Sequence, residues 1–226
     1  NVRVRVSVFE RALTITPESA SACTDHGITL KKLGKLYTAV KCYEQALAIK
    51  PDYAEAHNNI GNAFSDLSRL DAAIKCYEKA VALKPDYAGA YLNCGNVLLG
   101  IKRLNEALTS YESAITLDPD LDFILGNSLH TKMHLCIWDN LANCLNELKN
   151  KIKNSEKVLM PFPALSLIDD PELQKKVAEI YINHRYPKNH DLPRIIQHPK
   201  HKKIRIGYFS ADFRNHPVAE LTVELY

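Results

Sequence analysis

The sequence predicts a mainly α-helical chain. It opens as an array of stacked helix pairs forming a right-handed superhelix, passes into a helical connector, and ends in the first strand–helix unit of an α/β domain. Three observations carry this expectation. Proline, glycine, alanine and tyrosine recur with one fixed period through the first half of the chain. Apolar residues inside each repeat follow a helical period. From Lys203 onward the pattern turns strand-like.

The repeat is legible at five positions that keep one register, with a period of about 34 residues. Pro17, Pro51, Pro85 and Pro119 are evenly spaced by it, as are Gly27, Gly61 and Gly95. The same spacing links Ala39, Ala73 and Ala107, the tyrosines 43, 77 and 111, and the alanines 12, 46, 80 and 114. Within one unit, residues 54–67 are apolar at Ile60, Ala63, Phe64 and Leu67, and residues 71–83 at Ala73, Ile74, Tyr77, Ala80, Val81 and Leu83. Both runs are helical, and Pro85 must end the second. Gly61 and Ala73 lack bulk and let the two helices approach, while Tyr77 fills the space between neighbouring units. A pair buries only one side alone, so units must stack. The first helix of each pair should line the inner surface. Three repeats are complete, residues 20–53, 54–87 and 88–121, and Phe9, Ala12 and Pro17 mark the second helix of a partial one. After Pro119 the register fades: Leu129 stands where glycine is expected, although Asn127 keeps its place.

Composition narrows the function classes. Among 226 residues, 46% are hydrophobic and 24% charged, which excludes wholesale disorder. No apolar run reaches the roughly 18–20 residues of a membrane span. Arg3, Arg5 and Arg11 interrupt the first apolar stretch, so no signal core is expected. Net charge is +3, and it is local: residues 183–205 hold seven Lys/Arg against Asp191 alone. That basic stretch reads as a linker, because prolines punctuate it and Tyr186 is its sole stacking aromatic. Neither nucleic acid nor membrane is expected as a partner. Six cysteines without a CxxC motif predict reduced thiols, with Cys42 and Cys76 as small buried hydrophobes. His198 and His201 have no cysteine or second ligand pair nearby, so no metal site is expected. The expected location is cytoplasmic, or nucleocytoplasmic in a eukaryote.

The inner surface offers the candidate binding residues. Asn59 and Asn62 share a helical face, and Asn93 and Asn96 repeat the pair one unit later. Asp25 and Asn127 occupy the phase of Asn59 in the flanking units. A row of carboxamides can pair with both donors and acceptors of an extended peptide backbone. Protein or peptide partners are therefore expected in the groove; the plainer alternative is a solvated polar helix face.

Beyond the array, residues 122–148 read as helical, with Leu129, Met133, Trp138, Leu141 and Leu145 expected to be buried. Asp170 can cap a helix that begins at Pro171, carries Glu172 in its first turn, and runs to about His184. Pro187, Pro193 and Pro199 mark an extended linker. Ile204, Ile206, Tyr208 and Phe209 then read as a strand, residues 210–215 as a turn, and residues 218–226 as helical. Ligands of open α/β sheets bind where such a loop lies.

The repeats resemble the tetratricopeptide repeat through Gly61, Ala73, Tyr77, Ala80 and Pro85. The order of features is more specific. Repeats, then Trp138-Asp139, then PFPALSLIDDPELQ, then KIRIGYFSADFRNHPVAEL closely resembles the O-GlcNAc transferase family, including its SPINDLY-like members. The family signature appears here as Gly207, Tyr208, Ser210, Asp212, Phe213, Asn215, His216 and Pro217. The resemblance implies an inverting enzyme moving N-acetylglucosamine from UDP-GlcNAc, a co-substrate and not a bound cofactor, to Ser or Thr hydroxyls of proteins. SPINDLY-like relatives imply fucose from GDP-fucose instead. The family's active-site histidine maps to His216, which could accept the hydroxyl proton or orient the acceptor; a helix-capping role is the plainer reading. The implied division is repeats over residues 1–121, connector and linker over 122–202, and the start of a truncated glycosyltransferase domain over 203–226. One strand and one helix cannot make a sheet. The chain alone is thus expected to be inactive, and a non-enzymatic repeat adaptor is the competing expectation.

Overall fold

The computed structural model of the chain describes residues 19–186, and the regular elements among these residues are all helices. They are α1 (Ala20–Lys32), α2 (Leu36–Ile49), α3 (Ala54–Asp66), α4 (Leu70–Leu83), α5 (Ala88–Gly100) and α6 (Leu104–Leu117). After these come α7 (Ile124–His134), α8 (Leu141–Lys153), α9 (Pro161–Leu167) and α10 (Pro171–Arg185). The partial first repeat at Phe9, Ala12 and Pro17, the proline-rich linker, the expected strand from Ile204 and His216 all lie outside the described residues.

Pairs α1/α2, α3/α4 and α5/α6 form the array, and their repeated residues explain why. In α3/α4 a Cβ on Gly61 would stand 2.5 Å from the Tyr77 ring, and one on Gly95 would stand 2.7 Å from Tyr111 in α5/α6. The glycine thus makes room for an aromatic ring from its own partner helix. Ala39, Ala73 and Ala107 on the second helices are fully buried, as are Ala46, Ala80 and Ala114. Tyr77 then joins Cys94, Val97 and Leu98 of the next pair in one core, so the same ring also seals the boundary between units.

The turns repeat as faithfully as the cores. Gly34, Ser68, Lys102 and Cys136, at equivalent places in successive units, have positive φ of 75°, 58°, 63° and 56°. Each closes the same C-terminal motif, in which the next residue's N–H returns to a carbonyl five residues back. Those bonds are Lys35 to Leu30 (3.0 Å), Arg69 to Phe64 (2.8 Å), Arg103 to Leu98 (2.9 Å) and Ile137 to Lys132 (2.9 Å). The second helices end where the prolines require. The N–H groups of Lys50, Lys84 and Asp118 donate to Ala46, Ala80 and Ala114 at 2.8, 2.9 and 2.8 Å, immediately before Pro51, Pro85 and Pro119.

Stacking has a preferred side. Helix α1 touches α3, α3 touches α5, and α5 touches α7, whereas no second helix makes comparable contact with its counterpart in the next pair. First helices therefore form the closer-set row, which is the inner side of a curved stack.

The connector departs from this plan. Residues 122–148 are not one continuous helix: α7 ends at His134, and α8 starts at Leu141 after a second left-handed residue, Asn140 (φ 55°). Trp138 lies in this break and is 54% exposed, contrary to the burial expected of it, while Met133, Leu141 and Leu145 are half-buried. Leu129 is buried as expected, in a separate core with Leu148, Ile152, Leu159, Leu167 and Val177. In place of a tyrosine, α7 receives the extended stretch before α9. Gly126 N–H donates to Val158 O at 2.8 Å, and a Cβ on Gly126 would lie 2.7 Å from that oxygen and 2.9 Å from Leu159 Cα. Helix α10 begins as expected, with Asp170 Oδ1 accepting from the N–H groups of Glu172 (3.0 Å) and Leu173 (3.2 Å).

Candidate functional site

The inner row carries the six residues read as peptide-binding: Asp25 on α1, Asn59 and Asn62 on α3, Asn93 and Asn96 on α5, and Asn127 on α7. The common repeat period brings them onto equivalent faces of successive first helices. Their hydrogen bonds separate them into two groups. Asp25 is exposed and Asn59 half-buried, and neither side chain is tied to another side chain among the described residues. The other four are braced.

The bracing comes largely from the core tyrosines. Tyr77 donates its hydroxyl to Asn62 Oδ1 at 2.8 Å, and Tyr111 donates to Asn96 Oδ1 at 2.9 Å. Burial pushes both phenols well above their ordinary pKa, so they stay protonated and act as donors. Asn127, only 2% exposed, adds a second donor to Asn96 Oδ1 from its Nδ2 at 2.9 Å. One repeat earlier, Asn93 Nδ2 donates to Asn58 Oδ1 at 3.0 Å. In Asn62 and Asn96 the amide oxygen is thus occupied from the core side, which leaves the Nδ2 donor for whatever enters the groove.

Sequence reading found the asparagines but not these partners. The signal existed: in two repeats asparagine precedes the tyrosine by fifteen residues, while Ile28 holds that place in the first repeat. There the Tyr43 hydroxyl is buried and has no partner among the described residues.

Other polar features belong to the scaffold. His57 is buried with Nε2 3.4 Å from Pro51 O, and burial lowers its pKa. Cys23, Cys42 and Cys94 are buried thiols, and desolvation pushes Cys94 up to about 11. A cavity of about 560 Å³ lies where the array meets the connector, lined by Asp120, Asp122, Glu147, Lys151, Glu156 and Lys157 among others. Its charges largely answer one another: Lys151 pairs with Asp120 (3.6 Å) and Glu156 (3.3 Å), and Lys157 with Asp122 (2.9 Å). No helix among the described residues is long and apolar enough to cross a membrane.

Comparison with known proteins agrees with the repeat geometry. The family described as TPR repeat matches residues 27–68 and 61–102, and the tetratricopeptide repeat family matches residues 88–121. The array is thus built of tetratricopeptide repeats. Over 109 residues (41% of the chain) it is 29% identical to the probable UDP-N-acetylglucosamine–peptide N-acetylglucosaminyltransferase SEC of Arabidopsis thaliana. The match spans 11% of that curated relative's length. Among solved structures, MamA 41-end from Desulfovibrio magneticus RS-1 aligns at TM-score 0.59 and 18% identity, over 68% of this chain and 86% of that one. The first TPR of Spaghetti (RPAP3), bound to an HSP90 peptide, aligns at TM-score 0.50 and 25% identity, over 52% of this chain and 93% of that one.

Proposed function

We propose that the repeat array captures extended segments of protein partners along its inner row, and that it does so as the substrate-presenting part of a protein O-GlcNAc transferase. The observation that carries the peptide reading is the pair of tyrosine-braced asparagines. With Oδ1 of Asn62 and Asn96 occupied by buried phenols, each Nδ2 is oriented to donate to a main-chain carbonyl of the guest. A main-chain carbonyl is common to every sequence, so capture of this kind tolerates many substrates. The peptide-bound repeat of Spaghetti supports a peptide guest on this fold. The transferase reading rests on the likeness to the Arabidopsis enzyme and on the segment Gly207–Pro217, with His216 in the active-site role.

A non-enzymatic adaptor is the second reading, supported by the family matches over residues 27–121, since stacked repeats form a binding surface by themselves. The coding sequence downstream of Tyr226 separates the two. The remainder of an α/β glycosyltransferase is expected; a stop codon there would favour the adaptor. The 226-residue chain itself is expected to transfer no sugar from UDP-GlcNAc. For capture, Asn59→Ala with Asn62→Ala and Asn96→Ala should weaken binding of an unfolded polypeptide probe by roughly tenfold or more, a loss of about 1.4 kcal/mol. Circular dichroism should confirm that helicity is retained. Unchanged affinity in a folded triple variant would return these residues to ordinary surface.

A further inference from the structure

Helix α7 carries two histidines, His130 and His134, four residues apart on one face. Their Nε2 atoms stand 3.3 Å apart, with ring planes at 89°. Two imidazole nitrogens bound at about 2.0–2.1 Å to one tetrahedral ion are separated by roughly 3.3 Å. We propose that His130 and His134 form a two-histidine chelate for a divalent transition-metal ion, Zn²⁺ foremost, with water completing the coordination.

Two orphaned buried atoms point the same way. His130 Nδ1 and Asn127 Oδ1 are both buried without a partner among the described residues, and they belong to side chains one turn apart on α7. An ion on Nε2 places the ring proton on Nδ1. Metal-bound histidines commonly donate a hydrogen bond through that N–H, and the Asn127 carboxamide oxygen, one turn away on α7, is a buried acceptor without a donor among the described residues. His134 is exposed and is the last residue of α7, so its ring can rotate onto the ion, and the carbonyl end of a helix favours a cation. Imidazole ligands select zinc, copper or nickel over magnesium or calcium. No cluster of three or more metal-ligating side chains is found among the described residues, so the ion would be held by two and would exchange readily.

The site lies at the end of the asparagine row: Asn62, Asn96 and His130 hold one register position in successive units. It does not depend on the transferase reading. Zn²⁺ titrated into the whole chain by calorimetry should bind with one-to-one stoichiometry. His134→Gln should weaken that binding by about tenfold or more with unchanged helicity. In the parent chain, Zn²⁺ should move the imidazole resonances of His130 and His134 first. Undiminished affinity in His134→Gln would overturn the proposal, the ion then lying on thiols or on His198 and His201. Absence of binding by the parent chain, or shifts confined to other histidines, would overturn it equally.

Discussion

The third helix pair, α5/α6, and the segment after it, α7/α8, begin alike and end differently. Both first helices close with the same left-handed turn, at Lys102 and at Cys136. Yet α5 and α6 pack along their length, whereas α7 and α8 barely meet. Four substitutions in register explain the divergence. Gly95, Ala107, Tyr111 and Ala114 become Leu129, Leu141, Leu145 and Leu148 one repeat later. Leucines at the glycine and first alanine positions remove the recess into which a tyrosine ring fitted. With that packing closed, α8 turns away, and the backbone near Val158 and Leu159 packs on α7 at Gly126. Helix, turn and pairing are therefore separable: local hydrogen bonds set the first two, and complementary volumes set the third.

The largest effect should come from filling the two close approaches. Gly126→Ala drives a Cβ into backbone that cannot swing aside, and about 3 kcal/mol of destabilisation is expected. Gly95→Ala meets the Tyr111 ring, a side chain that can tilt, and alanine recovers some helix propensity, so about 1–2 kcal/mol is expected. Urea unfolding can compare them, with fluorescence of Trp138, the single tryptophan, reporting on the connector. Equal losses would mean that the stretch at residues 158–159 is not fixed against α7.

A smaller contrast separates the first repeat from the other two. Tyr77→Phe removes a buried hydroxyl–amide bond, for a loss of about 1 kcal/mol. Tyr43→Phe removes a buried hydroxyl that has no partner among the described residues, and should be neutral or slightly stabilising. A Tyr43→Phe variant as unstable as Tyr77→Phe would show that the first repeat satisfies its phenol by another route.

The smallest effect lies in the turns. Lys102→Gly and Ser68→Gly relieve a left-handed conformation that Gly34 already adopts without a side chain. Each should raise stability by up to about 1 kcal/mol, read as a higher urea midpoint with unchanged slope. A fall in midpoint would show that those side chains contribute more than their backbone strain removes.

Much of this was written in the chain itself. The repeat period fixed the three helix pairs, their turns and the buried Gly–Tyr–Ala sets, because each depends on neighbours within one short unit or its copy. The cap at Asp170 was equally local. Residues 122–148 were legible as helical, but neither the left-handed turn at Cys136, which no glycine marks, nor the packing of the distant stretch at Val158 and Leu159 on α7 was. The asparagine row was visible as a face, yet its chemistry was not. Only tertiary packing put phenol hydroxyls beneath Asn62 and Asn96, and so determined which half of each amide is left for a guest. A repeat in sequence specifies which surfaces recur; the directions of the hydrogen bonds on them depend on partners that only folding brings together.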